Sequence, residues 1–173
     1  MNLLVMLFVL ALAALVQAVI PSSPLLGQAQ VPAIGAVVVY YALARKRADL
    51  ILAAIVAGII QDGMGLIPFG YSSLAFGLVG LLIARFKEIV FVHEVLTHML
   101  FGLLMASVTV WVTYILLTST GLIELPASFA FLKMSGSALL GALVTPLIFR
   151  ACARMDQLMG LVESSDSTWH ELP

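Results

Sequence analysis

The chain has 173 residues, of which 62% are hydrophobic and 10% are charged, and its mean hydropathy is +1.15. A soluble domain carries about 25% charged residues, so this composition excludes an ordinary soluble protein and predicts a single integral membrane domain. The net charge of −1 gives no indication of nucleic-acid binding and no basic patch is available for it, while the single Cys152 excludes an intrachain disulfide and a cysteine metal cluster.

Apolar segments along the chain predict six membrane-spanning helices, since each crossing needs about 20 residues. Their approximate bounds are 3–20, 25–44, 48–67, 71–84, 92–117 and 129–149. The first segment could also be a signal peptide, but Met1-Asn2 supplies no basic flank and the apolar run is too long, so we expect a retained span. A polar, acidic cytoplasmic tail of residues 154–173 is predicted to follow a membrane domain of residues 1–153.

The second and third spans are expected to meet at the basic loop Arg45-Lys46-Arg47. Pro32 suits a helix start, where its missing N–H costs nothing. The uninterrupted apolar part of the third span, Leu50 to Ile60, is only about 17 Å long as a helix. It therefore crosses about 30 Å of hydrocarbon only if the region around Asp62 also lies at membrane depth. A broken or partly re-entrant helix fits this segment equally well.

The third span and the residues after it carry an unusual concentration of small and polar groups. These are Gly58, Gln61, Asp62, Gly63, Gly65 and Gly70. On a helix, four of them (Gly58, Gln61, Asp62 and Gly65) fall within about 100° of one another, opposite the apolar face. Glycines permit close approach of membrane helices. We therefore predict that the six residues form a packing or binding seam.

Asp62 is the most informative residue of this seam, because a carboxylate within the hydrocarbon costs about 2.5–3.5 kcal/mol and should point into protein or a wet cavity. A buried structural hydrogen bond or a helix cap beside Gly63 is the favoured role. Contact with a transported ligand and proton chemistry are the alternatives. No second carboxylate at membrane depth partners Asp62, which argues against a proton relay.

Two later spans also have faces of small and hydroxylated residues. These are Gly102, Ala106, Thr109 and Thr113 on the fifth span, and Ser137, Gly141 and Thr145 on the sixth. Small residues let helix backbones approach closely. We predict that these faces, like that of the third span, serve packing within the chain.

The segment His93-Glu94-Val95-Leu96-Thr97-His98 resembles a zinc-protease motif in composition only. That motif needs histidines four residues apart so that both share one helix face, whereas these are five apart. Glu94 and His98 are four apart and could pair, or could simply be solvated. No arrangement of serine, cysteine or histidine suggests nucleophilic catalysis, so we expect neither an enzyme, nor a metal site, nor a cofactor.

Basic residues predict the orientation of the chain in the bilayer. With six spans and a cytoplasmic N-terminus, seven of the eight Lys and Arg residues lie on the cytoplasmic side and only Lys133 lies outside. This distribution satisfies the positive-inside rule. The sequence therefore predicts an all-α integral membrane protein, a compact bundle of six transmembrane helices with both termini in the cytoplasm.

The motif residues and their order resemble the bacterial rod shape-determining MreD family over roughly residues 1–150. The resemblance rests on Pro32, on Tyr41-Ala42-Leu43, on a short basic loop, and on Gly58 and Asp62 before Gly70-Tyr71 and Leu74, ending before Arg85-Phe86. It implies a non-enzymatic inner-membrane component of the cell-elongation machinery, with Gly58, Asp62 and Gly70 shaping the fold or a partner-facing cavity. The implied partners are MreC and, through it, MreB, RodA and a penicillin-binding transpeptidase. The acidic tail and the paired histidines depart from the family pattern.

The fold of this family is similar to the substrate-binding subunits of energy-coupling-factor vitamin transporters, which supplies an alternative function. Such a subunit would need an outward pocket with ligand-specific polar groups, and a first span that docks through small residues such as Ala14 and Ala18. The outer loops offer few charged groups, at most Asp62, Glu124 and Lys133. The cell-shape function is therefore the favoured prediction.

Overall fold

A computed structural model describes residues 3–22, 28–65, 68–87, 94–121 and 126–158. These residues form six α-helices and no β-strand, so the all-α prediction is confirmed. The helices are α1 (Leu3–Val19), α2 (Ala33–Ala44), α3 (Arg47–Gly65), α4 (Tyr71–Phe86), α5 (Val95–Ser119) and α6 (Ala127–Leu158). By length and composition α3, α5 and α6 can each cross a membrane, whereas α1, α2 and α4 are shorter apolar helices of 17, 12 and 16 residues.

Helix α2 is the centre of the bundle. Every residue from Ala33 to Leu43 is buried, and the helix contacts each of the other five. A helix that is apolar on all sides must be covered on all sides, which explains this position. By contrast, α1 buries only one stripe, formed by Met6, Val9, Leu10, Ala13 and Gln17. Its other face exposes large apolar residues, as expected of a helix that faces lipid.

The second helix is shorter than the predicted span of residues 25–44. It begins at Ala33 after Pro32, and residues 28–32 are not helical. Proline disfavours helical backbone in the residue before it, and Gln28 adopts a left-handed conformation with φ of 59°. Proline at the helix start agrees with the sequence prediction. Residues 23–27 lie outside the described residues.

Helices α3 and α6 differ from their predicted spans in other ways. Helix α3 is unbroken over its 19 residues, about 28 Å, so the interpretation of a broken helix does not apply within it. Helix α6 continues past residue 149 to Leu158. The first residues of the predicted polar tail are therefore helical, and Asp156 is buried. Residues 159–173 lie outside the described residues.

Small residues allow two pairs of helices to pack closely. A Cβ atom added to Gly58 of α3 would overlap the backbone of Ser73 in α4. A Cβ atom added to Gly102 of α5 would overlap the Thr145 hydroxyl and the Gly141 carbonyl of α6. The prediction that these small faces pack within the chain is confirmed at Gly58, Gly102 and Gly141.

Candidate functional site

Asp62 caps the neighbouring helix α4. The carboxylate lies in the last turn of α3 and is fully buried. Its Oδ2 accepts a hydrogen bond of 2.7 Å from the Gly70 N–H, and its Oδ1 accepts one of 3.0 Å from the Ser72 N–H. The first N–H groups of a helix have no partner within the helix, and the helix dipole favours a negative charge there. A carboxylate taken from another helix therefore satisfies the start of α4.

The residues around this cap fix the chain between α3 and α4. Gly70 occupies the cap position with φ of 107°, a left-handed conformation that glycine adopts at little cost. Ser73, in the first turn of α4, donates its hydroxyl to the Ile55 carbonyl of α3 at 3.1 Å. Because Gly58 has no side chain, α4 can lie directly against α3 at this point. Gly58, Asp62 and Gly70 thus act together on one helix junction.

A second polar junction lies beside the first and is formed by Gln17. This buried amide of α1 donates from Nε2 to the Gln61 Oε1 of α3 at 2.9 Å. Its own Oε1 lies 3.4 Å from the Ile34 N–H in the first turn of α2. Gln17 therefore connects α1 and α3 with the start of α2. The sequence signal is a single amide within the apolar first segment, and Gln17 was not among the predicted site residues.

The two junctions border a cavity of about 430 Å³. Its walls come from the C-terminal ends of α1, α3 and α5 and from the N-terminal ends of α2, α4 and α6, and we call this end of the bundle the cavity end. Apolar residues such as Phe76 and Met105 form part of the lining. Polar lining is supplied by Gln17, Gln28, Gln30, Gln61, Ser72, Thr109, Thr113, Lys133 and Ser137. Such a mixture of apolar walls and a few polar groups is typical of a binding pocket.

The six residues of the predicted seam take different positions. Gly58 and Asp62 are buried at the α3–α4 contact, whereas Gln61 and Gly65 line the cavity. Gly63 and Gly70 are exposed, and a Cβ at Gly63 would come no closer than 3.9 Å to Phe69. Asp62 does form a helix cap, but for α4 and not beside Gly63 as predicted, because its carboxylate reaches forward to Gly70 and Ser72.

The opposite end of the bundle is held by a partly buried ion pair. Asp156 of α6 accepts hydrogen bonds from the Tyr40 hydroxyl of α2 and, at 2.5 Å, from the Arg45 guanidinium. Burial lowers the pKa of Arg45, the Asp156 carboxylate raises it, and the net shift is upward, so the guanidinium stays charged. We call Tyr40, Arg45 and Asp156 the clasp, and this end of the bundle the clasp end. The clasp was missed because Asp156 was assigned to a polar cytoplasmic tail that follows the membrane domain.

The histidine segment lies at the clasp end. His98 is buried and stacks on Phe149 of α6, with ring centroids 3.8 Å apart, whereas Glu94 is exposed. The alternative prediction that Glu94 and His98 are both solvated was therefore wrong for His98. His93 lies outside the described residues, as does Glu124, which the sequence predicts in an outer loop.

A comparison with protein families found one family model, described as rod shape-determining protein MreD, that matches residues 1–154. No curated protein and no solved structure matches the chain. The matched region contains the Asp62 cap, the Gln17 junction and every residue that lines the cavity. Because the match extends over most of the sequence, the chain belongs to the MreD family of rod shape-determining proteins.

Proposed function

We propose that this protein is a non-enzymatic component of the cell-elongation machinery in the bacterial inner membrane, where it binds MreC and helps to assemble the peptidoglycan synthases. Family membership supports a role in rod shape determination. MreB, RodA and a penicillin-binding transpeptidase would be reached through MreC. The chain would cross the bilayer six times with both termini in the cytoplasm, which places the cavity end on the outer side.

The observation that carries this proposal is the cavity at the end of the bundle where the family motif lies. Gln61 and Ser72 line it directly, next to the Asp62 cap, so the motif shapes its wall. A mixed polar and apolar cavity of about 430 Å³ can receive side chains of a partner segment that approaches from the outer surface. On this proposal Asp62 contributes by holding the start of α4 in place rather than by touching the partner.

Filling the cavity tests whether it receives MreC. Thr113→Trp would place a large ring in the cavity, whereas Ile115→Trp two residues away changes a side chain that is 56% exposed. Affinity purification from native membranes in mild detergent should recover MreC with the wild type and with Ile115→Trp, and much less with Thr113→Trp at an equal protein level. Equal recovery of MreC with both variants would exclude the cavity as the binding place.

The polar lining of the cavity also fits a second candidate function. Its amide and hydroxyl groups supply the polar recognition that the outer loops do not, as a substrate-binding subunit of an energy-coupling-factor vitamin transporter would need. The same purification separates the two functions. Recovery of an energy-coupling module with its ATPases, without MreC, would favour the transporter subunit.

A further inference from the structure

Cations from separate parts of the sequence come together at the clasp end. No basic patch is visible in the sequence, because the basic residues are spread over several short segments. The Lys87 ammonium of α4 donates to the Arg45 carbonyl at 3.2 Å, and Arg45 in turn pairs with Asp156 of α6. These contacts show that the ends of α2, α4 and α6 meet. Around them lie five exposed cationic side chains, which we call the cationic surface: Lys46, Arg47, Arg85, Arg150 and Arg154.

Within the described residues, no carboxylate neutralises the cationic surface. None of its five side chains forms a hydrogen bond or an ion pair with another described residue. Three carboxylates are described at this end, namely Asp49, Glu94 and Asp156, and the last of them is already held by Arg45. The described part of the chain therefore leaves these charges accessible to an external anion.

The clasp determines which way the end of α6 faces. Cys152 and Asp156 are buried on one side of the helix, and Arg150 and Arg154 are exposed on the other. Helix α6 has 32 residues and is about 48 Å long, whereas the hydrocarbon is about 30 Å thick. The helix is therefore longer than the hydrocarbon is thick, and the exposed charges of Arg150 and Arg154 make its C-terminal turns the part expected to reach the lipid headgroups.

We propose that the cationic surface binds the headgroups of anionic phospholipids. Members of this surface lie close in sequence to exposed apolar residues on the same helix: Arg85 is next to Phe86, and Arg150 follows Leu147 by three residues. In each pair the cation can contact a lipid phosphate, and the apolar side chain can contact the acyl chain below that phosphate. An acidic protein segment in water would be matched by the cations alone. Each Lys or Arg near an anionic bilayer surface contributes about 1 kcal/mol.

Spin-labelled lipids measure this selectivity directly in reconstituted bilayers of phosphatidylcholine. We expect the wild type to associate with labelled phosphatidylglycerol about fivefold more strongly than with labelled phosphatidylcholine, the factor that corresponds to about 1 kcal/mol. In R150Q/R154Q, which keeps three of the five cations, the ratio should fall clearly below the wild-type value while staying above one. K133Q, which removes a cation at the cavity end, should keep the wild-type ratio. Salt at 1 M should reduce the wild-type ratio, since the Debye length is then about 3 Å.

Equal association of the two lipids with the wild type, or an undiminished ratio in R150Q/R154Q, would overturn the proposal. The second pair K46Q/R47Q on α3 gives the same test if R150Q/R154Q does not fold. Lipid binding at the clasp end does not depend on MreC binding at the cavity end, so either can fail without the other.

Discussion

At the scale of single residues, the pairing of Asp62 with Gly70 and Ser72 converts a costly buried charge into a fixed helix start. An isolated carboxylate in hydrocarbon is unfavourable, and so are unpaired N–H groups at a helix terminus. The two hydrogen bonds remove both costs at once. The burial of the carboxylate is therefore explained by the helix start that it caps.

Replacement of Asp62 should destabilise the bundle in a graded manner. Asp62→Ala leaves two N–H groups without their acceptor, and we expect a loss of about 1.5–3 kcal/mol, the range for hydrogen bonds to charged groups. Asp62→Asn keeps one oxygen acceptor and should lose less. Thermal unfolding in detergent measures the order of stability. Asp49→Asn, at the partly exposed start of the same helix, is the matched control and should change stability little. Wild-type stability of Asp62→Ala would show that the cap is dispensable.

Gly58 and Gly77 provide a matched pair for testing the contact between α3 and α4. A Cβ at Gly58 would overlap the Ser73 backbone, whereas a Cβ at Gly77 of α4 would meet nothing within 4 Å. Gly58→Ala should therefore cost about 1–3 kcal/mol through overpacking, and Gly58→Leu should cost more. Gly77→Ala should be neutral or stabilising by up to about 1 kcal/mol, since alanine favours helix. If both alanine variants unfold at the same temperature, the claim that α3 and α4 approach closely at Gly58 is contradicted.

At the scale of elements, the C-terminal end of α6 packs against the end of α2, although the sequence predicted a separate tail there. The predicted tail began at residue 154, yet α6 continues to Leu158 and buries Asp156 against Tyr40 and Arg45. Acidic residues near a chain end are usually solvated, so composition alone favoured a tail. Only the packing of α6 on α2 brings the carboxylate to Arg45.

Two deletions should therefore behave differently. Removal of residues 159–173 keeps the clasp and should leave thermal stability unchanged, whereas removal of residues 156–173 deletes Asp156 and should lower it. Asp156→Ala should have the same effect as the longer deletion, by about 3 kcal/mol, because breaking a buried pair leaves a charge unpaired. We place the value at the lower end of the usual range because the Arg45 side chain is 21% exposed. Equal stability of the two truncated chains would show that the clasp adds nothing.

At the scale of the whole molecule, the two ends of the bundle have different chemistry. Amides and hydroxyls line the cavity end, and the cations collect at the clasp end. The short helix α2 reaches only about 18 Å, and the non-helical residues 28–32 precede it at the cavity end. Irregular backbone is tolerated at membrane depth where it lines a cavity, as Gln28, Gln30 and Val31 do.

Single-cysteine labelling tests the proposed orientation. In a Cys152→Ala background, Ser119→Cys at the end of α5 should react with an impermeant maleimide in intact cells. Lys46→Cys at the other end of the bundle should react only after lysis. Both positions are exposed in the structure, so a difference in labelling reports the side of the membrane. The reverse labelling pattern would show that the bundle has the opposite orientation and that the cavity opens toward the cytoplasm.

Hydropathy and residue spacing alone determined the all-helical membrane class, the approximate helix positions, the motif at Gly58, Asp62 and Gly70, and the small faces that pack α5 on α6. These features follow from local properties, because apolar length and helical periodicity act within one segment. The sequence could not reveal the α4 cap, the Gln17 junction, the cavity or the clasp. Each of these joins groups from different helices, and Tyr40 and Asp156 are 116 residues apart. Only tertiary packing decides such pairs, since the free energy of burying a polar group depends on the partner that the fold brings to it.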